Sequence, residues 1–287
     1  MKNNVLMQIA NTVSVNVQKI TNPGLLEGKM GVAIFLYHYT RYSGQNAYNQ
    51  LADYLMDEII ETMAVSQVSF SDGLSGIGWG IKHLMKEHFI KCDDDVLEEL
   101  DERIIDYIKY HTNEEMLDGC IYLAICNPAL LDDALLKIME EKNAGFLSSA
   151  YQPLAVLNKL LKLAIHVPGA WYNKILDAAH YAINSQLYHR SDLKICKELL
   201  NVSNVKKGNK TLDDICTFLL AESDSCSDRM EMVWQYLVFF GGAVNGKCDI
   251  DNVSNMVTNI LKDLSVQDMY FTSGLPAMGM DLLLTNE

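Results

Sequence analysis

The stretch Ser71-Asp72-Gly73-Leu74-Ser75-Gly76-Ile77-Gly78-Trp79-Gly80 constrains this chain more than any other. It reads as a helix start, with polar caps followed by glycines at close-packing spacing. A glycine inside a helix costs about 1 kcal/mol against alanine. Keeping several implies that another backbone passes close by. Weaker copies occur at Leu26-Glu27-Gly28-Lys29-Met30-Gly31 and at Ser273-Gly274-Leu275-Pro276-Ala277-Met278-Gly279.

Between these starts the hydrophobic pattern alternates. Residues 2–20 place Val5, Ile9, Val13 and Val17 on one face, which predicts an amphipathic helix. The segment from Leu26 to about Ser43 is apolar nearly all round, which predicts a buried helix. An amphipathic helix is expected over 46–64, a buried one over 73–86 and an amphipathic one over 93–110. The pair then recurs: 117–126 buried, with an outer partner to about 141; 147–166 buried, with 171–187 outside; 191–200 and 211–220; 227–239 and 251–264. A last buried helix starts at 273. Strand signals are weak, and Val65–Phe70 is the best candidate.

The capping positions read as Glu27, Asp72, Asp118, Ser149, Asp192, Asp228 and Ser273. They recur every 30–45 residues or so, the period of a helix-turn-helix array. Helices buried on all sides, alternating with helices that carry one greasy stripe, suit a closed double ring. The expected fold is therefore all-α: a single seven-fold (α/α) toroid spanning residues 1–287. The inner helix N-termini would converge on one mouth, where their dipoles favour a negative group or ordered water.

Composition narrows the partners. A chain of 287 residues that is 49% hydrophobic can bury a large core. Its formal net charge of −14 opposes phosphate backbones, so nucleic acid is an unsuited partner. A basic peptide or a cation suits it better. No apolar run nears the ~20 residues of a membrane span, so no membrane insertion is expected. Met1–Gln8 turns polar too early for a signal peptide. The seven cysteines are scattered without a Cys-x-x-Cys pair, as expected of reduced thiols in a cytoplasmic protein.

At Glu27-Gly28-Lys29-Met30-Gly31-Val32-Ala33-Ile34-Phe35-Leu36, at Asp72-Gly73-Leu74-Ser75-Gly76-Ile77-Gly78 and at Ser273-Gly274-Leu275-Pro276-Ala277-Met278-Gly279, the sequence resembles the lanthionine synthetase C-like (LanC-like) family. Members are cyclases of ribosomal peptides, and their relatives, built as seven-fold α/α toroids. The resemblance implies a peptide or a modification enzyme as partner. Catalytic members hold zinc through a cysteine before the glycine of one late repeat and a Cys-His pair before the glycine of the next. This chain has Arg190-Ser191-Asp192-Leu193 and Cys226-Ser227-Asp228-Arg229 there, and no Cys-His-Gly anywhere. The resemblance therefore implies a member without the zinc ligands, with no cofactor and no zinc-dependent thioether chemistry. His189 and Cys226 lie near the two positions, but a zinc site needs three or four ligands; a loop histidine and a surface cysteine are the plainer reading.

The candidate ligand-binding residues are those assigned to the mouth: Glu27, Asp72, Asp118, Tyr151, Gln152, Asp228, Arg229 and Ser273. Paired carboxylates around a helical toroid also suit acid–base chemistry on sugars. A carboxylate-dependent carbohydrate enzyme is thus the rival, although helix capping already accounts for Glu27, Asp72, Asp118 and Asp228. Two further groups stand out. Tyr37, His38, Tyr39 and Tyr42 cluster late in the first buried helix, and Trp79 and His83 share a face of the second. Core packing is the plainer reading of both. Cys92-Asp93-Asp94-Asp95 lacks the spacing and glycine of a calcium loop. Phosphate-binding glycine loops and a Gly-x-Ser-x-Gly elbow are missing from the sequence.

Overall fold

The computed structural model describes residues 1–63, 67–91, 94–132, 135, 153–166, 233–235, 237–238 and 248–285. The longer helices among them are α1 (Lys2–Asn16), α2 (Lys29–Ser43), α3 (Asn46–Thr62), α4 (Leu74–Lys86), α5 (Asp94–Tyr110), α6 (Glu114–Cys126), α7 (Pro153–His166), α8 (Ile250–Ile260) and α9 (Leu275–Leu284). No strand occurs among the described residues, so the chain is all-α there. The short strand expected at Val65–Phe70 does not form over 67–70. The carbonyls of Gln67 and Ser69 instead accept from the Leu74 and Gly73 N–H groups, at 2.7 and 3.1 Å, and fold the segment into the turn before α4. No described helix is long and apolar enough to cross a membrane.

The chain divides into two compact units, Met1–Leu97 with Arg229–Glu287, and Glu98–Asp228. In the first unit the predicted alternation is plain. Helices α2, α4 and α9 are buried almost all round: Met30 to Tyr37, Leu74 to Ile81 and Leu275 to Leu282 are closed to solvent. Helices α1, α3 and α8 each bury one stripe, such as Val5, Ile9 and Val13 on α1 or Tyr48, Leu55 and Ile59 on α3. Packing follows the same division. Helix α2 lies between α9 and α4, while α1 lies against α8 and α3 and covers α9 and α2.

One turn, used before α2, α4 and α9, fixes this arrangement. Its helices start one residue later than the sequence suggested: the N-caps are Gly28, Gly73 and Gly274, not Glu27, Asp72 and Ser273. Each cap glycine is extended and sits against the carbonyl of the residue six earlier: Asn22, Gln67 or Asp268. A Cβ there would come within 3.0 Å of that backbone. This is why glycine stands where a polar cap was expected: the turn leaves no room for a side chain. Three residues before each cap an apolar residue is buried: Leu25, Phe70 and Phe271.

Leu25 and Phe271 each dock on the next helix in the row. A Cβ on Gly76 of α4 would strike the Leu25 side chain, and one on Gly31 of α2 would strike that of Phe271. The turns are also stitched by main-chain bonds, Leu26 N–H to Ser71 O and Phe271 N–H to Leu26 O, both 2.7 Å. The turn before α9 thus meets α2 as the turn before α2 meets α4.

The second unit holds most of α5 with α6 and α7. Helix α6 begins at Glu114, capped by Asn113, whose side chain accepts from the Met116 N–H at 3.3 Å. Asp118 therefore lies inside the helix and does not cap it, contrary to expectation. It is nearly buried and takes the Lys159 ammonium of α7 at 3.1 Å. Asp101 of α5 is also buried, and accepts from the Tyr122 hydroxyl at 2.6 Å and the Asn127 amide at 2.9 Å.

Candidate functional site

Four of the residues assigned to the mouth are described: Glu27, Asp72, Asp118 and Ser273. Glu27 and Ser273 are exposed and Asp72 is half-buried, at equivalent positions just before the three cap glycines. Asp118 belongs to the second unit and is occupied by Lys159. Tyr151, Gln152, Asp228 and Arg229 lie outside the described residues, as do His189 and Cys226. Among the described residues no group of three or more His, Cys, Asp or Glu side chains could hold a metal.

The chemistry in the first unit gathers instead along the later turns of α2 and α4, and the sequence flagged only part of it. His38 and His83 come from neighbouring buried helices, and their Nε2 atoms face each other at 3.1 Å. One ring donates and the other accepts, so the two cannot both be protonated. Burial pushes each imidazole down to about 4, with the neighbouring His83 adding to the effect at His38 and Glu87 opposing it at both. Trp79 stacks on His83 at 5.0 Å between centroids, and His83 stacks on His38 at 5.4 Å. Trp79 and His83 are four residues apart, so their shared face was legible. Their meeting with His38 was not, because it depends on how α2 and α4 line up.

The end of α4 completes the cluster. Its C-terminal turn closes with His88 N–H to Met85 O at 3.0 Å and Phe89 N–H to Leu84 O at 2.9 Å, a Schellman cap. The residue in the left-handed position, normally glycine, is His88, with φ of 60°. This turn throws Phe89 back toward α2. Its ring meets Tyr37 at 5.5 Å and the edge of His38 at 4.9 Å, and the Arg41 guanidinium lies over it at 3.7 Å. Arg41 also pairs with Glu87, Nη1 to Oε2 at 2.9 Å, and donates to the Glu87 carbonyl. The guanidinium holds the Glu87 carboxyl below its ordinary range. Arg41 so pins the segment that follows α4.

Beside Phe89 opens a cleft of about 330 Å³, at the small end of the ligand-pocket range. Its apolar wall is Met56 and Ile60 of α3, Ile81 of α4, and Phe89 and Ile90. Its polar side is Asp53 and Asp57, one helical turn apart on α3, with Lys91 on the lining. The Tyr37 hydroxyl donates to Asp53 Oδ1 at 2.6 Å and the Asn49 amide to Oδ2 at 2.9 Å. Burial, and then the bond to Asp53, raise the Tyr37 phenol above its ordinary range. Asp57 is exposed. Amphipathic patterning placed Asp53 and Asp57 on the solvent side of α3, but nothing in the pattern said that a cleft lies beside them.

No protein-family model, no curated protein and no solved structure matches this chain.

Proposed function

We propose that this chain is a zinc-free, peptide-binding relative of the LanC-like cyclases: a seven-fold α/α toroid serving as an accessory component in ribosomal-peptide modification. The observation that carries the reading is the repeated turn. A closed ring requires its last repeat to meet its first as the first meets its second. Phe271 lies against Gly31 as Leu25 lies against Gly76, and one main-chain bond joins the turns in each case, from donors one residue apart in register. The acidic charge supports a basic peptide as ligand. The substitutions at Arg190-Ser191-Asp192 and Cys226-Ser227-Asp228 support binding without zinc chemistry.

The test uses the full chain and a synthetic peptide carrying one dehydroalanine and one cysteine. Saturable binding is expected, with the free thiol disappearing no faster than in buffer alone. Accelerated thiol loss overturns the non-catalytic reading, and no binding overturns the peptide. Elemental analysis is a second arm. Stoichiometric zinc that is lost on Cys226→Ser contradicts the zinc-free assignment.

The rival, a carboxylate-dependent carbohydrate enzyme, needs two carboxylates with free roles on one cavity. Asp53 and Asp57 share a cleft. Asp53, however, already accepts from Tyr37 and Asn49 and so lacks the free role the rival requires.

A further inference from the structure

We propose that the cleft between α3 and the end of α4 binds the basic side chain, lysine or arginine, of a peptide. The proposal deepens the peptide-binding reading but not its fold or pathway, because the cleft is built within the first unit by α2, α3, α4 and the segment that follows α4.

A lysine or arginine has two chemically different parts. Its methylene stem gains by leaving water, and its charged head must keep polar partners. The cleft offers both surfaces side by side. Met56, Ile60 and Ile81 provide an aliphatic wall for the stem. The Phe89 face is already taken by Arg41, so this chain itself seats one guanidinium there on an aromatic ring. Asp57, exposed and on the same lining, supplies a carboxylate for the head. Asp53 adds a second negative charge one turn away, fixed in orientation by Tyr37 and Asn49. A volume of about 330 Å³ accommodates one side chain rather than a folded partner. An anionic ligand would meet the paired carboxylates with repulsion. The formal net charge of −14 draws the same class of ligand from a distance.

Lys91 bears on the test. It is exposed and stands on the same lining. An incoming cation must approach past its charge, so Lys91 weakens the site and does not form it.

The experiment titrates full-length protein with acetyl-Leu-Lys-Leu-amide, following amide shifts of the 87–91 segment by NMR. Acetyl-Leu-norleucine-Leu-amide, the same shape without the charge, is the control. Saturable binding of the lysine peptide is expected, with the norleucine peptide about ten-fold weaker or worse. Asp57→Asn is expected to weaken the lysine peptide about ten-fold and Lys91→Gln to tighten it about three-fold. Asp57 and Lys91 are both exposed, so neither change threatens folding. Equal binding of the two peptides, or an unchanged affinity in Asp57→Asn, overturns the proposal. Spermidine binding as tightly as the lysine peptide overturns the assignment to a peptide side chain. A protein that binds the dehydroalanine peptide but fails these arms keeps the family reading and loses only this cleft.

Discussion

The two ends of the buried helices in the first unit are built on opposite rules. At their starts, Gly28, Gly73 and Gly274 bring backbone against backbone, with no space for a methyl group. Along their later turns, His38, His83, Arg41 and Glu87 bring polar side chains together among aromatic rings, and a cleft is left open. The first region is intolerant of volume, and the second holds the histidines that burial shifts. The conspicuous motif therefore marks where the fold is assembled. The chemistry lies where the helices end.

The largest expected effect is on the crowded side. Gly31→Leu must displace the Leu25 carbonyl and the Phe271 ring together. A loss of about 3 kcal/mol or more is expected, a large fraction of the stability of an ordinary domain. Thermal unfolding followed by circular dichroism reads it. A variant that melts with the parent would mean that the turns are not in contact.

Next comes acid. Both histidines protonate near 4 when folded, below the 6.5 of an unfolded chain. Their contribution is therefore fully present above pH 6.5 and is lost as pH falls toward 4. The linkage amounts to about 3 kcal/mol at most for each ring. Urea midpoints measured between pH 4 and 7 should fall steeply, and the slope should flatten in His38→Gln/His83→Gln. An equal slope in that variant would assign the acid sensitivity elsewhere.

Smaller effects sharpen the contrast. Tyr37→Phe removes the hydroxyl that steadies Asp53 and should cost about 1 kcal/mol, since that carboxylate is solvated. Denaturant titration measures it. A loss beyond about 3 kcal/mol would mean that the cleft wall is part of the core. Smallest of all, His88→Gly relieves a left-handed backbone and should stabilise by a few tenths to about 1 kcal/mol. A destabilised His88→Gly protein would reveal an interaction of the imidazole that outweighs the backbone cost.

Much of the architecture was legible, because burial on all sides and burial along one stripe leave different periodicities. Helices α1 to α5 begin and end within a few residues of expectation. Cap chemistry was legible only in part. Asp72 before Gly73 looks like an N-cap because aspartate usually is one, but a preceding carbonyl occupies the space and the glycine takes the position. Asp118 was misplaced for a related reason: Leu117-Asp118-Gly119 mimics a helix start, while Asn113 four residues earlier holds the real one. The cleft had no local signature. Its lining comes from three helices and the loop after α4, and each residue alone looks like core or solvated surface.

The docking of Phe271 on Gly31 also fixes when this protein can finish folding. The first unit is discontinuous in sequence, with residues 98–228 between its halves. During synthesis α2 and α4 are made long before α9. Until residue 284 has left the ribosome, the side of α2 that later receives α9 stays open, with Gly31 and Phe35 uncovered. Contacts this distant in sequence slow the search for the native state and leave apolar surface waiting. The nascent chain is thus exposed to aggregation over most of its translation. Deleting α9 should cost solubility out of proportion to its length.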